Sequence, residues 1–314
     1  MKIINFYKVF ILLTAFFAST GFAQNKVLIV NSDNVIYRYE SIAMEFKKAL
    51  QQNAYQWIEF KLDRNENPEA EAELRQLIRQ ENPVLIYCIG TKAYSLVHGY
   101  VPDKKTIFSA AINWRRLELG QATYGITNEL SSAQEKSLLH YFFPTVKTIG
   151  VLYNDNFSRE YIEIIKKDAL ALGINLINQA VSNVSEVKEA FTELLPKIDM
   201  LWIISDPVVL GDKQTVQHIF QTAQKRNKPV YAYSDVYIGQ GAVLSISVDN
   251  ATIGRQSAGL AMMMVNGKMP ACTMQSPAGS TITLNKCKLD TLQTKFNPDA
   301  LDSVNTIVGC GQHD

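Results

Sequence analysis

The stretch KTIGVLYNDNFSREYIEIIKKDALALG, residues 147–173, decides the fold. Thr148 to Tyr153 is a short run, apolar almost throughout, that reads as a strand buried on both faces. A polar loop follows, then a helix predicted from about Ser158 to Leu172, with Gly173 supplying its C-cap. Strand, loop and helix in that order are the repeating unit of a parallel sheet covered by helices.

The same unit recurs in both directions. Downstream, strands are predicted at Asn175 to Ala180, Asp199 to Ile204, Pro229 to Tyr233 and Ala242 to Val248. Helices fall between them at Glu186 to Leu195, with Ser185 as cap, and at Gln214 to Lys225. Upstream, Lys26 to Val30 begins an earlier series. A helix carrying Ile42, Met44, Phe46 and Leu50 follows it, then a strand from Trp57 to Leu62 and a helix opened by Pro68. Val84 to Ile89 is a strand, Gly90-Thr91 opens a helix through Val97, and Thr106 to Ser109 is the next strand. The two series meet near residues 125–130. After the second come a helix from Ile253 to Asn266 and short strands at Pro270 to Thr273 and Thr281 to Leu284.

The chain therefore reads as α/β, with two doubly wound parallel-sheet lobes. One lobe is expected from 25–126 plus 250–277, the other from 127–249 plus 278–314. At 314 residues the chain suits two domains of ordinary size.

Residues 1–23 read as a signal peptide. Lys2 and Lys8 form a basic start, Val9 to Phe17 is uncharged and apolar, and Gly21-Phe22-Ala23 places small residues before a cleavage point. Losing this segment removes two lysines and no acid, taking the formal charge from +1 to −1. Near-neutrality gives no global electrostatic reason to bind nucleic acid or an acidic membrane. Export implies an oxidising, periplasmic compartment. Of the four cysteines, Cys88 reads as a buried strand thiol, and Cys272 and Cys287 flank the turn-rich Ser276 to Ser280. A hairpin there predicts a Cys272–Cys287 disulfide.

Parallel sheets bind ligands beyond the carboxyl ends of their strands. Those ends carry Ser32 and Tyr37, Thr91, Ala110 and Asn113, then Asn154 and Phe157, Asp206, and Ser234 with Asp235. Such groups suit a small amphipathic ligand, and they also cap helices and fill turns. Asp206 and Asp235 fit either a pair for acid/base work or the holding of a ligand ammonium. Arg115-Arg116 reads as solvated loop charge or as a clamp on a ligand carboxylate. The chain has no G-x-S-x-G, no Walker loop and no G-x-G-x-x-G after its first strand. Its four histidines show no metal-ligand spacing. No cofactor, metal or catalytic residue is expected.

The run Lys147 to Asn154, with Ala169 to Gly173, Asp199 to Asp206, Lys228 to Asp235, Gly239 to Leu244 and Ile253 to Lys268, resembles periplasmic substrate-binding proteins of ABC transporters. This family includes tryptophan- and tyrosine-binding members. The resemblance spans roughly residues 25–295 and is strongest over 146–268. It implies a type I periplasmic-binding fold whose lobes are joined by a three-segment hinge. By position it implies ligand loops containing Ser32, Thr91, Ala110, Asn154, Phe157, Asp206 and Ser234, with Asn250 on a hinge strand. It implies delivery to a membrane permease. A sensory role reporting to a membrane signalling protein, or an exported hydrolase, would use a similar fold. The chain departs from the family pattern at Val35 to Tyr39, which is bulkier, and at Asn113-Trp-Arg-Arg116, where a small acidic loop is commoner.

Overall fold

The computed structural model describes residues 26–33, 35–63 and 67–311. The expected leader lies outside the described residues.

The first lobe alternates strands and helices. In order these are β1 (Lys26–Asn31), α1 (Tyr37–Gln52), β2 (Gln56–Lys61), α2 (Pro68–Glu81), β3 (Leu85–Ile89), α3 (Thr91–Tyr100), β4 (Thr106–Ser109) and β5 (Thr123–Ile126). The chain then crosses into the second lobe. There it forms α4 (Ser132–Phe142), β6 (Thr148–Tyr153), α5 (Asp155–Ala171), β7 (Asn175–Ala180), α6 (Val187–Leu194), β8 (Met200–Ile203), α7 (Lys213–Lys225), β9 (Val230–Ala232) and β10 (Leu244–Val248). It returns through α8 (Asn250–Val265) and β11 (Met274–Gln275), then crosses once more to β12 (Ser280–Asn285), α9 (Lys286–Thr291) and β13 (Thr306–Val308).

The six-stranded sheet runs β11-β5-β4-β3-β1-β2, and its neighbours are all parallel. The seven-stranded sheet runs β13-β12-β10-β9-β8-β6-β7, with only β10 and β12 antiparallel. Each central strand is buried on both faces because helices cover both, which is why β1, β3 and β6 are nearly unbroken apolar runs. In the first lobe, Ile42 and Phe46 of α1 pack with Ile253 and Ala258 of α8. Gly254 permits that contact, since a Cβ there would lie 2.4 Å from the Ile42 carbonyl oxygen.

Local signals explain the helix ends. Asn67 accepts from the Glu69 N–H ahead of Pro68, and Asp212 accepts from the Thr215 N–H. Several expectations need correction. Helix α5 begins at Asp155, three residues before Ser158, because the Asn154 side chain accepts from the Asn156 N–H. Ser185 does not cap α6: it lies in a 3-10 turn, Val184–Glu186, that leads into the helix, and Asn183 caps that turn by accepting from the Ser185 N–H. Met44 points to solvent while Ile42, Phe46 and Leu50 are buried. Helix α4 was not foreseen, and β11 lies just beyond the segment expected as a strand.

The expected Cys272–Cys287 disulfide is overturned. Cys287 is bonded to Cys310, with Cα atoms 4.8 Å apart, and Cys272 is free and exposed. Residues 276–280 are no hairpin; they carry the chain from β11 in one sheet to β12 in the other. Cys272 stays with the first lobe. Cys287 follows β12 and Cys310 follows β13, and these strands are parallel neighbours, so their ends lie side by side. Cys88 is fully buried in β3, and burial pushes its thiol far above the ordinary range.

Candidate functional site

Three strands of chain join the lobes, at residues 127–131, 248–250 and 276–280. Between the lobes lies a cavity of about 560 Å³ lined by both sheets' strand ends and by the first two crossings, with Thr281 just beyond the third. That volume lies within the range of small-molecule sites.

The first lobe supplies Tyr37, Arg38 and Ser41 from the opening turns of α1, and Ile112, Asn113 and Arg115 from the loop after β4. Tyr37 is an aromatic side chain left 86% exposed. The second lobe supplies Phe157 and Tyr161 from α5, Glu135 from α4, and Tyr233, Ser234 and Asp235 after β9. Glu129, Asp249 and Asn250 come from the crossings. Aromatic side chains of both lobes thus border the cavity together with polar groups.

Of the eleven residues singled out in the sequence, Tyr37, Asn113, Phe157, Ser234, Asp235 and Asn250 are brought together on this cavity. Asn250 does so as the first residue of α8 rather than on a hinge strand; Asp249 caps that helix by accepting from the Ala251 and Thr252 N–H groups.

The other five lie outside the cavity lining. Asp206 is fully buried, and its carboxylate accepts from the Asn154, Val208 and Val209 N–H groups at 2.8–3.0 Å and from the Ser158 hydroxyl at 2.6 Å. Asn154 donates its amide to the Val181 and Ser182 carbonyls at 2.7 and 3.1 Å while capping α5. The Ser32 hydroxyl accepts from the Ala93 N–H at 2.9 Å in the first turn of α3. Gly90, at φ +90°, lets the turn close onto Ser32, since a Cβ there would sit 2.6 Å from that hydroxyl. The Thr91 hydroxyl reaches the Ile112 carbonyl at 3.5 Å, and Ala110 is buried at φ +54°. Helix starts leave backbone N–H groups unpaired, and these small polar side chains satisfy them.

The cavity lining includes the group that sequence reading missed. Glu135 is almost fully buried and accepts from the hydroxyls of Tyr231 and Tyr161. Lys136 beside it is fully buried. Its ammonium is 3.4 Å from Glu135 and 3.4 Å above the Trp202 ring centre. Burial pulls Lys136 below the ordinary lysine value, while Glu135 acts in the opposite direction. Burial also holds Tyr161 and Tyr231 well above theirs. At the first crossing Glu129 accepts from the Trp114 indole at 2.9 Å, and burial raises its carboxyl despite Arg115. The signal that could have revealed Glu135 is Ser132-Ala-Gln-Glu135, a pattern that marks helix starts. Among the described residues no cluster of His, Cys, Asp and Glu could hold a metal ion, and no helix is long and apolar enough to cross a membrane.

A sequence model of the ABC transporter substrate binding protein family matches residues 29–306. The chain belongs to this family. A similar curated protein is the tyrosine-binding protein of Clostridioides difficile, 24% identical over 237 residues, which cover 71% of this chain and 68% of that one. Among solved structures, a ligand-free, open substrate-binding protein with adhesive properties from Clostridium difficile superposes with a TM-score of 0.72 at 18% identity, covering 90% of this chain and 99% of that one. A Streptococcus pneumonia domain in complex with L-Trp gives 0.64 at 18% identity, covering 91% and 100%. These likenesses establish the fold, the type I periplasmic-binding architecture of two hinged α/β lobes. As a member of a substrate-binding family, the protein is placed among binders of ligands rather than among enzymes.

Proposed function

We propose that this protein is an exported solute-binding protein that captures a small amphipathic, amino-acid-like molecule between its lobes and delivers it, unconverted, to a membrane permease. The observation that carries the reading is the cavity itself. Its lining comes from both lobes and from two of the three crossings, so a molecule filling it touches both bodies whose relative position changes when the lobes move. A ligand that contacts both lobes only when they are closed shifts the hinge toward closure. The names of its relatives, a tyrosine-binding protein and a domain in complex with L-Trp, support an aromatic amino acid as the first ligand to try.

The ligand side chain would lie among Tyr37, Phe157, Tyr161 and Tyr233, where ring faces and edges meet favourably. Asn113, Ser234, Asn250 and Asp235 would address its polar end. Export would follow from residues 1–23, with cleavage after Ala23. Thermal melts with L-tyrosine, L-tryptophan and a panel of other amino acids test the reading. Stabilisation is expected to grow with the logarithm of ligand excess over Kd, with no loss of ligand over hours. Steady consumption of the ligand, or no shift with any amino acid, would reject it. Intact mass of periplasmic material would show whether the chain begins at Gln24.

A further inference from the structure

The turn Trp114–Arg116 belongs to the first lobe, yet its side chains reach across to the second. Its direction is set by two residues in the left-handed region, Ala110 at φ +54° and Asn113 at φ +53°. Asparagine tolerates that conformation, whereas alanine bears a cost there, and such strain persists only where surrounding contacts enforce it. Arg115 lies 3.5 Å from Glu129 on the first crossing and 3.5 Å from Glu160 on α5 of the second lobe. Its guanidinium stands 4.7 Å from the centre of the Trp114 ring and 5.7 Å from that of Tyr161. Arg116 stands 4.4 Å above the ring of Phe157, also on α5. The Trp114 indole is tied to the crossing through Glu129.

The geometry points to a clasp: Arg115 and Arg116 fasten the first lobe to α5 and set the spacing of the lobes before any ligand arrives. The three crossings are covalent but they are also the hinge, so they do not fix an angle by themselves. The clasp supplies a non-covalent link that does, and it lies beside the cavity, since Arg115, Phe157 and Tyr161 all line it. An apparent affinity is reduced by the fraction of protein not in the binding-competent arrangement. If the held arrangement is the one that binds, the clasp raises affinity beyond whatever Arg115, Phe157 and Tyr161 contribute by direct contact. Arg115 and Arg116 are positioning residues in this sense. Only the effect on affinity rests on the capture reading; the lobe spacing does not.

The test is made outside the cavity lining, at Glu160 and Arg116. Nitroxide labels are placed at Met44→Cys on α1 and Gln240→Cys after β9, both exposed positions, in a Cys272→Ser background. Cys88 is buried and Cys287 is bonded to Cys310, so neither competes for label. Distances between the labels are measured by electron spin resonance in ligand-free protein. An exposed ion pair and a cation over a ring together correspond to a change of roughly three- to thirty-fold in the balance of the two arrangements. Glu160→Ala with Arg116→Ala is expected to shift that balance toward longer distances by this factor at unchanged circular dichroism. Arg116→Lys, which keeps a cation over Phe157, is expected to stay near the wild type. An unchanged distance distribution in the folded double variant would overturn the clasp. So would Arg116→Lys opening the lobes as far as Arg116→Ala. No ligand is used, so a failure of the capture reading cannot be mistaken for a failure of the clasp.

Discussion

Asp206 and Asp235 occupy equivalent positions, each three residues beyond the end of one of two neighbouring strands, β8 and β9. Their environments are opposite. Asp206 is fully buried and saturated by three backbone N–H groups and a serine hydroxyl. Asp235 is exposed and borders the cavity. What separates them is the neighbour. The start of α5, with Asn154 and Ser158, abuts the loop after β8, so unpaired donors lie within reach and turn the carboxylate inward. After β9 the chain makes one short turn at Asp235–Tyr237 and continues along the cleft. A polar residue at a strand end is therefore assigned to folding or to binding by whether a helix start competes for it.

Glu135 offers the largest test of that contrast, because it is inward-facing and also reaches the cavity. Glu135→Ala would leave Lys136 buried without its counter-charge, and a loss of about 3–5 kcal/mol is expected in urea unfolding. Replacing both charges at once, Glu135→Gln with Lys136→Met, leaves no unpaired buried charge and should cost much less than Glu135→Ala alone. If the double substitution costs as much as Glu135→Ala, the buried charge is not what Glu135 serves.

Next in size is Asp206→Ala. It strands the Asn154, Val208 and Val209 N–H groups, and a loss of about 3 kcal/mol or more is expected. Normal stability would break the contrast at its clearest point. Ser32→Ala removes one acceptor from the start of α3, for an expected loss of about 1 kcal/mol. Asp235→Ala should change stability by less than about 0.5 kcal/mol, since its carboxylate is exposed. A larger loss would mean that Asp235 belongs with Asp206.

The same distinction explains what the sequence could and could not reveal. Alternation of apolar strands with helices is a local signal, and it places the central strands of both sheets and most helices, but not β5, β11, β13, α4 or α9. It could not show where Ser32, Asn154 and Asp206 point, because that depends on which helix start stands beside each one. Tyr37 and Phe157, on the opening turns of α1 and α5, and Ser234 and Asp235, just after β9, line the cavity instead. Glu135 and Tyr161 were missed because they sit on helices, away from the strand ends where ligand groups are sought. The disulfide failed for a related reason. Ser276-Pro-Ala-Gly-Ser280 has the composition of a hairpin, and only the three-dimensional path makes it a crossing between lobes.

Tyr37 tests the central claim most directly. Tyr37 is 86% exposed at the edge of the cleft, so it contributes little to folding, and the proposed capture would give it a partner. Calorimetric titration with L-tyrosine and L-tryptophan should be run on the wild type, Tyr37→Ala and Ser32→Ala. The account predicts that Tyr37→Ala keeps the wild-type Tm and binds about tenfold more weakly, a difference of about 1.4 kcal/mol. Ser32→Ala should bind as the wild type does, with a lowered Tm. Wild-type affinity in Tyr37→Ala, together with lost affinity in Ser32→Ala, would contradict the account, because binding would then depend on an inward-facing strand end rather than on the cleft.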